Sequence, residues 1–282
     1  MRKLIAGIIL GTALLCGTKA HAQYNREYFF WVGRSCMMNN DYQEAIRTLN
    51  TLLRFDEDAF EGYFLRGIAK YNLDDLLGAD TDFSAAIVKN PVFTTAYIYR
   101  ALTRTRMGNY DDALQDFREA IDLRPDLPDA YYSRGYTRLQ NKQYEEAIED
   151  FDKFIFQENK VADAYIGRGT AYLYLKDTVR ALENFDQAIR TNRENPNGYY
   201  QRGTLLLQKE EYARAEADFD MSIRCDSAFL PPYFNRAVVY SNTNRPMQAL
   251  ADFDRVLQLD STNSFTYFNR AILRTQIGAE TG

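Results

Sequence analysis

The sequence predicts an all-α fold in which one pair of antiparallel helices is copied along the chain, and three observations predict it. A tyrosine recurs every 34 residues, at Tyr63, Tyr97, Tyr131, Tyr165, Tyr199, Tyr233 and Tyr267, with Phe29 one step earlier. Three residues after each tyrosine stands an arginine, from Arg66 to Arg270, and a glycine or alanine follows it. An alanine series from Ala45 to Ala249 leads, four residues on, to Leu49, Phe83, Phe117, Phe151, Phe185, Phe219 and Phe253, and four further on to an Ile or Leu. Spacings of three, four and seven place side chains on one face of a helix. Each unit therefore holds two amphipathic helices, and no gap interrupts the register.

Taken in order, the chain begins with Arg2 and Lys3, an apolar run from Leu4 to Cys16, and Ala20-His21-Ala22. That is the layout of a cleaved export leader over residues 1–22, and it implies a periplasmic or secreted protein. The run is too short for a membrane span, which takes about 18 or more apolar residues. Leu15 occupies the place where a lipid-anchored leader carries a small residue before its cysteine. The array then fills residues 23–282, with units starting at Arg26, Phe60, Thr94, Pro128, Ala162, Pro196 and Leu230, and a half unit from Ser264. Turn sequences such as Met107-Gly108-Asn109 separate the two helices of a unit, and Pro91, Pro125, Pro128 and Pro196 lie between units, where they stop one helix or start the next. The small residue of the first helix and the alanine of the second are expected where the two axes cross.

This pattern resembles the tetratricopeptide repeat, whose unit of the same length carries an aromatic, a small residue, an alanine, an aromatic, an alanine and a proline at set positions. The resemblance covers residue 26 to about residue 278. It implies a right-handed superhelical solenoid of about seven and a half repeats, with the first helix of each unit lining a concave groove that holds a protein or peptide partner. The sequence departs from the pattern in keeping the closing proline only at Pro91 and Pro125, and in placing Phe154 and Val256 at a late small position.

Exposed positions of the first helices are thus the candidate binding surface. Those nearest the N-terminus are the most apolar: Phe30, Trp31, Met37 and Met38 with Arg34 in the first unit, Phe64, Leu65, Ile68 and Tyr71 in the second, Ile98 and Tyr99 in the third, and Tyr132 in the fourth. Aromatic and methionine side chains suit anchors on adaptable partner surfaces. The same residues would equally serve as packing between hairpins, or lie under an N-terminal segment. The arginine series also has two readings. Aspartates precede the second-helix aromatic at Asp82, Asp116, Asp150, Asp218 and Asp252, with Asn184 the exception, so a structural ladder fits, as does a basic stripe for an anionic ligand.

Composition excludes several functions. Without residues 1–22, which hold Arg2, Lys3 and Lys19, 31 basic residues face 39 acidic ones and the formal charge moves from −5 to −8, a poor balance for nucleic acid. The only histidine, His21, lies in that leader, which removes imidazole from catalysis and from zinc binding. Acidic pairs such as Asp150 and Asp152, or Asp218 and Asp220, are two residues apart on a helix and point in different directions, so no catalytic site, cofactor or metal is expected. Cys36 and Cys225 stand 189 positions apart and are expected to stay reduced. The lysine and asparagines with which some members of the family clamp a terminal carboxylate are replaced, the asparagine position reading Arg34, Ile68, Leu102 and Tyr136. The expected function is a scaffold for a protein or peptide partner, and the alternative is an envelope glycan-binding protein stacking sugar rings on Trp31, Tyr99, Tyr132 and Tyr200.

Overall fold

A computed structural model describes the backbone of residues 18–280 and the side chains of residues 26–278. The leader expected over residues 1–22 lies outside the described residues, apart from the backbone of its last five. Among the described residues there are fifteen helices and no strand. In order they are α1 (Thr18–Met38), α2 (Tyr42–Phe55), α3 (Phe60–Asn72), α4 (Leu76–Lys89), α5 (Thr94–Arg106), α6 (Tyr110–Leu123), α7 (Pro128–Gln140), α8 (Tyr144–Gln157), α9 (Ala162–Tyr174), α10 (Thr178–Thr191), α11 (Pro196–Gln208), α12 (Tyr212–Cys225), α13 (Leu230–Asn242), α14 (Pro246–Leu259) and α15 (Ser264–Glu280).

The chain divides into two compact units, one ending at Thr137 and the other beginning at Arg138. In the first, α1 packs on α2, α3 on α4 and α5 on α6, and each pair leans on the next through α2 with α3 and α4 with α5. In the second, α9 packs on α10, α11 on α12 and α13 on α14, with α8 against α9, α10 against α11, α12 against α13 and α14 against α15.

Local chemistry explains the hairpins. The turn between paired helices puts one residue at positive φ: Asn40 and Asp74 and the glycine Gly108 in the first unit, and Lys142, Lys176, Glu210 and Asn244 in the second. This left-handed residue ends the helix and turns the chain back. The next helix then opens on an N-cap where an acid is available, with the side chains of Asp41, Asp75 and Asp177 accepting from the backbone N–H groups of Glu44, Gly78 and Arg180. After the second helix of several hairpins an Asp or Asn side chain closes a short turn: Asp226 accepts from Ala228 N–H and Asp260 from Thr262 N–H.

The core follows the second repeated series. Phe83, Phe117, Phe151, Phe185 and Phe219 are fully buried, as are the alanines four residues before them. Burying one such ring contributes about 1.5–3 kcal/mol. The close crossing has a different partner from the expected one: a Cβ added to Gly67 would lie 2.7 Å from the Phe83 ring, so the small residue makes room for the aromatic rather than for the alanine.

Candidate functional site

The twelve residues singled out at the N-terminal end all lie in the first unit, and the structure separates them by burial. Trp31, Arg34 and Met38 are exposed, while the other nine are half-buried. Phe30, Met37 and Leu65 rest on the cluster around Leu49 and Leu52. Phe64 sits edge-to-face with Phe93 and Tyr99, Ile98 packs on the cluster of Ala101 and Phe117, and Tyr132 meets Tyr136 edge-to-face. The Arg106 guanidinium covers one side of Tyr71 at 4.6 Å, and Ile68 is half-buried beside them on α3.

Position in the array explains the split. Leu65 and Tyr99, which occupy the Trp31 position in the next two hairpins, lie on the hairpin before their own, Tyr99 at 5.8 Å from Phe83. No earlier hairpin precedes α1 among the described residues, so Trp31 is 72% exposed and Met38, seven residues on along the same face, is 78% exposed. A cleft of about 610 Å³ opens between α1, α2 and α3, floored by Phe30, Leu52, Phe55 and Ala59. Its rim is charged, with Arg26 paired to Asp56 at 2.9 Å and Glu27 and Glu61 nearby. Of the rings weighed for sugar stacking, Tyr99, Tyr132 and Tyr200 each meet another aromatic edge-to-face, whereas Trp31 presents most of its surface.

The arginine series forms a ladder, with more arms than the sequence disclosed. Arg66 grips buried Asp82 of its own hairpin with Nε and Nη2 at 2.8 and 2.5 Å, and its Nη1 donates at 2.6 Å to Asn50 of the hairpin before. Arg100 repeats this on Asp116 and Ser84, Arg202 on Asp218 and Asp186, and Arg236 on Asp252 and Asp220. Arg168 uses Asn184 and Asp152 in the same places. The guanidiniums of Arg66, Arg100, Arg168 and Arg236 also lie over the ring of the repeated tyrosine three residues before them, at 5.5 Å for Arg66 and 5.7 Å for Arg236. Two-pronged contact to a carboxylate is the strong form of this pairing, and with their forks occupied these arginines are not a stripe for anionic ligands. In the second unit the two neighbouring carboxylates raise the already high pKa values of Arg202 and Arg236, so both stay charged.

A second series went unnoticed in the sequence because it is confined to a few hairpins. Four residues after the ladder arginine, Lys70 reaches Asp82 at 2.8 Å, Arg104 reaches Asp116 at 2.8 Å and Arg138 reaches Asp150 at 2.7 Å. The signal was a cation four residues after an arginine, the helical spacing at which two side chains share one partner.

Residues 101–142 match a family described as TPR repeat, and residues 166–228 match one described as Tetratricopeptide repeat. The tetratricopeptide repeat is thus matched in two stretches of the chain. No curated protein matches it. Among solved structures it is similar to a tetratricopeptide repeat protein from Parabacteroides merdae, with 18% identity and a TM-score of 0.73 over 89% of this chain and 99% of that one. It is similar to the C-terminal part of a TPR repeat-containing protein from Cytophaga hutchinsonii, with 21% identity and a TM-score of 0.64 over 84% and 98%. It is also similar to YrrB, described as a TPR protein with an unusual peptide-binding site, with 21% identity and a TM-score of 0.50 over 67% and 97%. The matched repeats and the shared fold suggest a protein-interaction scaffold. Among the described residues no helix is long and apolar enough to cross a membrane, and no cluster of three acidic, cysteine or histidine side chains could hold a metal. Cys36 and Cys225 are both free and half-buried, and burial pushes both thiols up.

Proposed function

We propose that this protein is an exported scaffold that binds a peptide or protein partner through its first two hairpins. The observation that carries the reading is the cleft floored by Phe30 and the exposed Phe55, with the exposed Trp31 next to Phe30 in α1. Large rings that stay open to water, at a concavity with a charged rim, offer the apolar anchor and polar edge of a peptide contact. The peptide-binding site named for YrrB supports the ligand class, and the leader pattern over residues 1–22 supports a periplasmic or secreted address.

Capture from an envelope extract tests this with a Trp31→Ala/Phe55→Ala double variant. Both side chains are more than half exposed, so the variant should melt like the native chain. Partners held by the native protein should be retained about ten-fold less well, the loss expected when central aromatic anchors are removed. Equal capture by the two proteins would discard the cleft as the contact.

A further inference from the structure

The second helices of the first unit, α2, α4 and α6, each keep one side open to water, and the three open sides differ in chemistry. On α4, Leu77, Thr81, Ala85 and Val88 follow at spacings of four, four and three, which lines them up in one stripe along the helix. Leu77 and Val88 are 77% and 75% exposed, Thr81 is exposed between them, and Val92 carries the stripe into the next loop at 70%. The stripe lies inside the array, because α3 packs on α4 from one side and α5 from the other.

The flanking helices carry charge where α4 carries none. One period before Val88 stands Arg54 at the end of α2, and one period after it stands Asp122 on α6. Both are exposed, and among the described residues neither has an ion-pair or hydrogen-bond partner. Arg47 and Glu119 are exposed earlier on the same two helices, Arg47 paired to Glu44 and Glu119 accepting from Gln115, each within its own helix. The first unit thus presents an apolar stripe with a basic edge along α2 and an acidic edge along α6. Scattered apolar residues are ordinary on a surface, whereas a contiguous stripe rimmed by polar residues marks a contact.

An occupant of this surface has to be apolar along its middle, acidic opposite α2 and basic opposite α6. The same surface of a second copy, turned over, has that layout. A two-fold axis lying in the surface can run across the helices or along them. Across them, α2 meets α2 and α6 meets α6, so like charges oppose. Along them, α4 meets α4 in parallel, α2 of each copy meets α6 of the other, and Arg54 comes opposite Asp122 at the same height. We infer that two copies of this chain associate in this second way, with Leu77 and Val88 at the seam and the Arg54–Asp122 pair made twice. Complementary edges select this register over the other. The contact uses neither the cleft between α1, α2 and α3 nor its ligand, so it stands or falls apart from the proposed peptide contact.

Sedimentation equilibrium of the full chain alone tests it. A seam one helix wide makes a small interface, so the mass should climb from monomer toward dimer over about 1–100 µM protein. Val88→Asp puts a carboxylate in the seam and should weaken the dimer about ten-fold or more. Because the side chain is exposed in the single chain, the variant should melt like the native protein at concentrations where both are monomeric. Arg54→Glu and Asp122→Lys should each weaken association by about as much, since each sets like charges opposite one another twice. An equimolar mixture of those two variants should recover the native association, because in the mixed dimer both contacts again join opposite charges. A native chain that stays monomeric over this range, a dimer indifferent to Val88→Asp, or a mixture no more associated than its components overturns the inference.

Discussion

Rungs of the ladder in the two units carry opposite charge ratios. In the first, two cations meet each buried carboxylate: Arg66 and Lys70 on Asp82, and Arg100 and Arg104 on Asp116, while the backward arms end on neutral Asn50 and Ser84. In the second, Asp150 still meets Arg138, but on two later rungs one cation meets two carboxylates: Arg202 between Asp186 and Asp218, and Arg236 between Asp220 and Asp252. There the second cation is replaced by Leu206 and Tyr240. The same rung geometry thus tolerates a surplus of either sign. What recurs on these rungs is a buried carboxylate with at least one guanidinium on it.

The largest test of this contrast is removal of the arginine. Arg236→Leu strands two carboxylates at once and should cost about 3–5 kcal/mol, the range for breaking a buried pair. Arg66→Leu should cost less, about 1–3 kcal/mol, because Asp82 keeps Lys70. Urea denaturation of the two variants gives the comparison, and equal losses would show that the second cation carries no weight. Lys70→Met converts a first-unit rung to the second-unit ratio, and the same measurement should find a smaller loss of about 1 kcal/mol.

The smallest effect concerns acid. Arg245 holds the Glu216 carboxyl below the usual glutamate range through a two-pronged contact at 2.9 and 2.6 Å. A carboxyl depressed in the folded state contributes stability above its unfolded pKa and loses it as pH falls through the folded value. Glu216→Gln should therefore lower stability slightly at neutral pH, match the native chain in acid and so flatten the acid limb below about pH 4.5, as thermal melts across pH would show.

Much of the fold was legible because each unit repeats the same instruction. The spacing of Tyr63 to Arg66 and of Ala79 to Phe83 fixes two helix faces, and the copies remove the ambiguity that a single short apolar run would leave. The partnership of Arg66 with Asp82 was readable for the same reason. Its backward arm was not, because the acceptor changes identity from Asn50 to Ser84 to Asp186 and only the position recurs. The candidate contact surface was the least legible part. Helical spacing shows that Leu65 and Tyr99 share a face with Trp31 in each unit, but the face is open or covered according to whether another hairpin leans on it. The pattern of a single helix does not contain that information. Nor did it pair Phe55, at the end of a second helix, with Phe30 across a cleft.

The two reaches of the ladder arginine, sixteen residues forward to Asp82 and sixteen back to Asn50, both fit inside the 34-residue period. A gene that gained or lost one whole period would therefore rejoin with each fork still facing an acceptor and each ring still facing a small residue. Array length in such a chain is free to drift by duplication and deletion, with the joints healing themselves at every step.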